Sequence, residues 1–163
     1  MQAAGVTRVA LYDPFGNIPG VTRETLRGLV SQLRRPRGIT RFHDPSMAPA
    51  LLSIMAELGS CLFVADEAQD IFPRQGCPPE ALAALSKGRN TGLGIVWSTQ
   101  RPTACHTSLL GISQAIIVGR LIGMADRQYS KGWGVEQPQP LFTFTGVFPG
   151  REPFTFQSKK YSP

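Results

Sequence analysis

Two adjacent acids, Asp66 and Glu67, follow directly on the apolar run Leu62-Phe63-Val64-Ala65. A short continuous apolar run is expected of a strand buried on both faces of a parallel sheet, and open α/β sheets bind ligands at the carboxyl ends of such strands. Acids at that point suit phosphate chemistry. Asp66 can hold a magnesium ion, usually through water, while Glu67 can orient or deprotonate a water that attacks a γ-phosphate. The alternative for the same residues is a strand that exits into an ordinary polar turn.

A second apolar run, Ile95-Val96-Trp97, ends in Ser98-Thr99-Gln100-Arg101-Pro102. In a parallel sheet its carboxyl end falls at the same edge as Asp66. Gln100 can then touch a γ-phosphate or its water and report whether ATP or ADP is present. Otherwise Gln100 and Arg101 cap a loop before Pro102.

The elements that must hold these residues are visible as periodicities. Val6 to Tyr12 is rich in β-formers and ends at Asp13-Pro14, a strand followed by a turn. Thr22 to Leu33 spaces Leu26, Leu29, Val30 and Leu33 on one helical face, and Ile39 to Phe42 is a short strand. Ser46 can cap a helix running through Leu58. Cys61 to Ala65 is a buried strand, Pro78 to Lys87 a helix, Leu93 to Trp97 a second buried strand and Ala115 to Val118 a third. Leu141 to Phe148 and Phe154 to Gln157 alternate around Pro149-Gly150-Arg151-Glu152, which predicts an antiparallel hairpin. The expected fold is a three-layer, mainly parallel α/β domain over residues 1–163, with the core in 1–140 and a β-hairpin extension in 141–158.

Composition narrows the function classes. With 42% hydrophobic and 17% charged residues, the chain suits a soluble α/β domain and not a disordered one. No apolar run approaches the roughly 20 residues needed to span a bilayer, and the first residues do not read as a signal peptide. Cys61, Cys77 and Cys105 are too scattered for a disulfide framework, and with His43 and His106 they form no zinc-binding spacing. The net charge of +6 favours an anionic partner, nucleic acid first. Arg23, Arg27, Arg34, Arg35, Arg37 and Arg41 cluster between the first two strands, with Arg23, Arg27 and Arg34 at a helical spacing that could touch phosphates. A solvated face, or a surface meeting acids of a neighbouring subunit, is the competing reading.

LFVADEAQDIFP followed by LSKGRNTGLGIVWSTQRP resembles the HerA/FtsK superfamily of P-loop ATPases, which includes DNA translocases, conjugation motors and viral genome-packaging ATPases. The first motif is similar to Walker B, the second to the strand that carries a sensor glutamine in a T-Q-R-P setting. VALYDPFGN looks like the strand after the P-loop helix in that family, and the closing hairpin like its C-terminal β-extension. The resemblance implies a RecA-like fold, ATP and Mg2+ as cofactors, and Glu67, Gln100 and Arg89 as catalytic residues, Arg89 acting as an arginine finger. It implies nucleotide contacts from Asp66, Gln100 and Arg101, with Asp66 on the metal through water, and a place at the nucleotide edge for Arg120, unless Arg120 pairs with Asp126. It also implies double-stranded DNA as partner, a hexameric ring, and work in the cytoplasm or in an infected host's cytoplasm. Asp66-Glu67-Ala68-Gln69-Asp70 is also similar to the second motif of superfamily-1 helicases, but Ser98-Thr99-Gln100-Arg101-Pro102 stands where those have Gly-Asp-x-x-Gln.

One departure is decisive for the chemistry expected. The phosphate-cradling sequence Gly-x-x-x-x-Gly-Lys-Ser/Thr does not occur in the 163 residues. In the family this loop lies ahead of the segment that Met1 opens, so the expectation is an N-terminally truncated core lacking the first strand, loop and helix. A degenerate relative kept for assembly, or a loop supplied by another polypeptide, would look the same. Asp66 and Glu67 act on phosphates already held by the loop, so ATP affinity weaker than micromolar is expected of this chain.

Overall fold

The alternation of strand and helix up to Trp97 builds a parallel sheet. The computed structural model describes residues 5–19, 22–35, 37–137 and 139–158, the Arg89 side chain excepted. The chain divides into two compact units, Met1–Thr99 and Gln100–Pro163.

In the first unit the strands are β1 (Arg8–Tyr12), β2 (Ile39–Phe42), β3 (Cys61–Ala65) and β4 (Leu93–Trp97), in spatial order β2-β1-β3-β4 and all parallel. Parallel neighbours need crossover connections. These are α1 (Leu26–Leu33), α2 (Ala48–Leu58) and α3 (Pro79–Thr91), with α2 packed on α3 and α1 against β1 and β2.

Local chemistry sets the helix ends. The Thr25 hydroxyl caps α1 by accepting from the Gly28 N–H at 3.2 Å. Asp44, not the expected Ser46, opens the next helical segment, accepting from the Ser46 N–H at 2.9 Å ahead of a 3-10 turn over Pro45–Met47. Helix α3 runs past Lys87 to Thr91, where Gly92 at φ 75° closes it with an N–H bond to the Gly88 carbonyl. Gly38 is required for another reason. A Cβ there would lie 2.2 Å from the Gln32 carbonyl oxygen, so only glycine lets the chain turn from α1 into β2 this tightly.

The core of this unit follows the strand alternation. Ala10, Tyr12, Phe42, Cys61, Phe63 and Ala65 are buried on the strands, and Leu29, Leu33, Leu51, Leu52 and Met55 on the helices. The Phe42 ring stacks at an angle against Tyr12 and Phe63, with centroids 5.4 and 6.1 Å apart. Each fully buried ring of this size contributes about 1.5–3 kcal/mol. Among the described residues β4 is the last strand of this sheet, and Val96, expected to be buried, is 54% exposed.

The second unit holds an antiparallel sheet in the order β5 (Ile116–Val118), β6 (Thr143–Val147) and β7 (Phe154–Gln157). The predicted hairpin is present as β6 and β7, with Phe144 opposite Phe156. The third apolar run, expected as a buried strand of the parallel sheet, is instead β5, paired antiparallel to β6 with Ile117 61% exposed. An apolar run announces a strand but not its partner. Two helices carry no apolar stripe in the sequence: α4 (Thr107–Gly111), of only five residues, and α5 (Met124–Lys131). Helix α5 turns Asp126 and Ser130 inward, so its buried face is polar and hydrophobic periodicity does not reveal it.

Candidate nucleotide site

The sheet register brings the ends of three strands level. Tyr12 pairs with Ala65 and Ala65 with Trp97, so Asp13, Asp66 and Ser98 each take the next position along one carboxyl edge. The ladder continues one step beyond the strands. The Asp66 N–H donates to the Tyr12 carbonyl at 3.1 Å, and the Ser98 N–H to that of Ala65 at 2.9 Å. Asp66 and Glu67 are both partly exposed at this edge.

Glu67 has a left-handed backbone, φ 59° and ψ 63°. This costs about 1–2 kcal/mol for a residue with a Cβ. The conformation is held from both sides. The Ala68 N–H donates to the Ser98 carbonyl at 2.8 Å, and a 3-10 turn over Ala68–Asp70 follows, with the Asp70 N–H on the Glu67 carbonyl at 3.1 Å. A left-handed non-glycine backbone also occurs at Arg37, Ser60 and Phe142, and at Glu67 it can serve the fold or the side chain. Substitution separates the two interests: Glu67→Gly is expected to exceed Glu67→Ala in stability by about 1 kcal/mol in urea unfolding, because only glycine takes this φ without penalty. Equal midpoints for the two variants would show that the backbone there is unstrained.

Side-chain hydrogen bonds tie the acids to the end of β4. The Ser98 hydroxyl donates to Asp66 Oδ1 at 2.6 Å. Gln69 Nε2 donates to Glu67 Oε2 at 2.8 Å, while the Thr99 hydroxyl donates to Gln69 Oε1 at 2.6 Å. From β1, the Tyr12 hydroxyl donates to Asp70 Oδ2 at 2.8 Å. Burial pushes the Tyr12 phenol well above its ordinary value, and the Asp70 carboxylate adds to the shift, so the hydroxyl stays protonated across the physiological range. Nothing in the spacing of the sequence marks Tyr12, Gln69 or Asp70 as members of this site. Gln69 sits in a turn two residues past Glu67, where no periodicity marks it.

Asp13 closes the same edge at β1. Its carboxylate is fully buried and accepts from the Asn17 N–H at 3.2 Å and the Ile18 N–H at 2.9 Å, with Arg41 Nη1 at 3.5 Å. Arg41 also donates to the Thr22 hydroxyl from Nε at 2.9 Å and Nη2 at 2.6 Å. Arg41 therefore leaves the basic surface cluster to which its charge alone assigns it. Burial also raises the thiols of Cys61 and Cys77, which keeps both in the weakly reactive protonated form. No group of three or more metal-ligating side chains occurs among the described residues.

Helix α1 begins at Leu26, so Arg23 precedes it, Arg27 lies on it and Arg34 caps its end. The expected helical stripe of these three is thus broken. Arg27, Arg34, Arg35 and Arg37 are exposed and Arg23 partly so. The Arg89 side chain lies outside the described residues, although its backbone belongs to α3. Gln100 and Arg101 open the second unit. Arg101 leads a 3-10 turn over Pro102–Ala104, with its carbonyl accepting from the Ala104 N–H at 2.9 Å. In the same unit Asp126 accepts from the Thr103 N–H at 2.9 Å and the Thr103 hydroxyl at 2.7 Å, so its partner is Thr103 and not Arg120.

No family model matches the sequence, and no curated protein does. Solved structures do. The genome packaging NTPase B204 from Sulfolobus turreted icosahedral virus 2, in complex with sulfate, is similar at a TM-score of 0.74 and 16% identity, over 95% of this chain and 82% of that one. The same NTPase in complex with ATP-gammaS gives 0.73 at 16% identity, over 93% and 82%. B204 from Sulfolobus turreted icosahedral virus, described as a DNA-packaging ATPase, gives 0.65 at 15% identity, again over 93% and 82%. Identities this low establish a shared fold. The α/β architecture implied by the HerA/FtsK resemblance, a parallel sheet with flanking helices and an antiparallel extension, is the one this chain adopts. No helix among the described residues is long and apolar enough to cross a membrane.

Proposed function

We propose that this chain is the Walker B and sensor part of an ATPase core in a DNA-translocating or genome-packaging motor of the HerA/FtsK type. It would act on double-stranded DNA as a hexameric ring, in the cytoplasm or in an infected host's cytoplasm. The observation that carries the reading is the acid pair Asp66–Glu67 at the carboxyl edge of a parallel sheet, Asp66 hydrogen-bonded to Ser98 after the next strand and Glu67 linked to Thr99 through Gln69. A fold like that of B204, whose structures include an ATP-gammaS complex, supports it.

The residues present fit the metal side of Mg-ATP and lack its phosphate side. Asp66 offers a partly exposed carboxylate oriented by the Ser98 hydroxyl, a suitable group to hold magnesium through water. The metal, when bound, neutralises charge on the phosphates. Glu67, its carboxylate oriented by Gln69, accepts a proton from the attacking water or aligns it. Gln100 is assigned to the γ-phosphate, Arg101 to the nucleotide and Arg89 to a phosphate across a subunit boundary. The phosphate-cradling sequence is not among these 163 residues, and the roles assigned above are those their side chains would take beside such a loop. A second reading, a non-catalytic assembly protein on the same fold, draws its support from that one fact.

Duplex-DNA titrations at graded salt test the motor reading. The exposed Arg27, Arg34, Arg35 and Arg37, with Arg23, are the candidate phosphate contacts. If about five phosphates are neutralised, affinity should fall at least about a hundredfold between about 50 and 200 mM salt. Binding that ignores salt would count for the assembly protein. ATP should bind the chain alone more weakly than micromolar, and micromolar binding would contradict the assignment of roles.

A further inference from the structure

The hydrogen bonds around Glu67 have a direction. An ionised carboxylate only accepts, so the end of the Gln69 amide that faces Glu67 must be its NH2 group, and Nε2 lies 2.8 Å from Oε2. That leaves the Gln69 carbonyl pointing the other way, where the Thr99 hydroxyl donates to it at 2.6 Å. The chain Thr99 O–H to Gln69 C=O, then Gln69 N–H to Glu67, therefore runs with a single polarity. If the Thr99 hydroxyl were lost, the carbonyl end of the amide would lose this donor, and the NH2 end would be held through Glu67 Oε2 without a fixed far end. In parallel, Ser98 fixes Asp66 at 2.6 Å, so consecutive residues after β4 each govern one of two consecutive acids. The backbone supplies the same coupling through the Ala68 N–H on the Ser98 carbonyl at 2.8 Å.

We propose that Gln69 is a positioning residue that ties the direction of the Glu67 carboxylate to the Thr99 hydroxyl, so that the end of β4 and the acid pair behave as one unit. The consequence for turnover rests on the ATPase reading of Asp66–Glu67; the relay itself does not. A ligand drawn to the segment after β4 would shift Ser98 and Thr99, and through them both acids, without touching either acid.

The test follows the Gln69 side-chain amide by 15N NMR in the full chain, assigned from its disappearance in Gln69→Ala. The expected result is hydrogen exchange several-fold slower than that of the exposed Gln128 amide. Thr99→Val and Glu67→Ala should each return Gln69 to free-glutamine exchange, and Thr99→Ser should preserve the slow exchange. Exchange as fast as that of Gln128 in the wild type, or no response to Thr99→Val, would overturn the relay. A second arm measures ATP turnover with a Gly-x-x-x-x-Gly-Lys-Ser/Thr segment supplied. There Gln69→Ala and Thr99→Val should lower kcat with KM unchanged, whereas an unchanged kcat would overturn the positioning role. A slow amide in a protein without turnover would support the relay and remove the ATPase reading instead.

Discussion

Glu67→Gln is expected to reduce ATP turnover by about 10²–10⁴-fold once a phosphate-cradling loop is supplied, with ATP affinity and folding stability unchanged. Glutamine is close to glutamate in shape, and its carbonyl oxygen can still accept from Gln69 Nε2, now 2.8 Å from Oε2. What is lost is the capacity to take a proton from the attacking water. The backbone at φ 59° is equally strained with either side chain, so the denaturation midpoint should not move. Single-turnover kinetics beside nucleotide titration separates the possibilities. A parallel loss of affinity would mean that Glu67 serves binding, and undiminished turnover would remove it from the chemistry. The contrast with Asp66 is informative. Asp66 is read as the metal's partner, so Asp66→Asn should weaken the magnesium dependence, an effect that Glu67→Gln does not share.

The strands of the parallel sheet are legible in the sequence as short runs of β-formers, and β1, β2, β3 and β4 fall within the runs that predict them, although β4 leaves Val96 exposed. The acid pair is legible because it interrupts such a run at its end. Partners are harder to read. Arg41 belongs by sequence to a basic cluster, yet strand pairing places it beside Asp13 and Thr22, and charge counting does not register pairing across strands. Helix α5 escapes notice because its inward residues are Asp126 and Ser130, stabilised by hydrogen bonds and not by apolar burial. Gln69 escapes for a related reason. Its role depends on Thr99 arriving from the next strand, a contact across thirty positions of sequence. Periodicity reports one element's own face; these features arise where two elements meet.

Asp13→Ala is expected to destabilise the fold by about 3–5 kcal/mol, the range for removing one partner of a buried ion pair. The carboxylate is fully buried, and without it the Asn17 and Ile18 N–H groups lose their acceptor while Arg41, 15% exposed, loses its counter-charge. Asp13→Asn should cost less, since its amide oxygen can still accept one N–H bond. The pH dependence follows from how the group is held. Burial alone would raise the Asp13 carboxyl, but the N–H groups of Ile18, Asn17 and Gly16, with the Arg41 guanidinium, more than offset it and hold the carboxyl below its ordinary value. A folded-state value below the unfolded one, about 3.9, means that the contribution is complete above that pH and is lost as pH falls through the folded value. Urea unfolding at a series of pH values should therefore show a constant gap between wild type and Asp13→Asn near neutrality, closing only below about pH 4. A gap that stays constant into strong acid would show that the charge contributes nothing. The consequence reaches the site, because Asp13 fixes the turn after β1 at the edge where Tyr12 holds Asp70, one turn away from Glu67. Loosening that turn by acid should also release the Tyr12–Asp70 bond before the parallel sheet itself unfolds, and NMR of the ring-13C-labelled tyrosines, with Tyr12 assigned from its loss in Tyr12→Phe, would report it ahead of the far-ultraviolet circular dichroism.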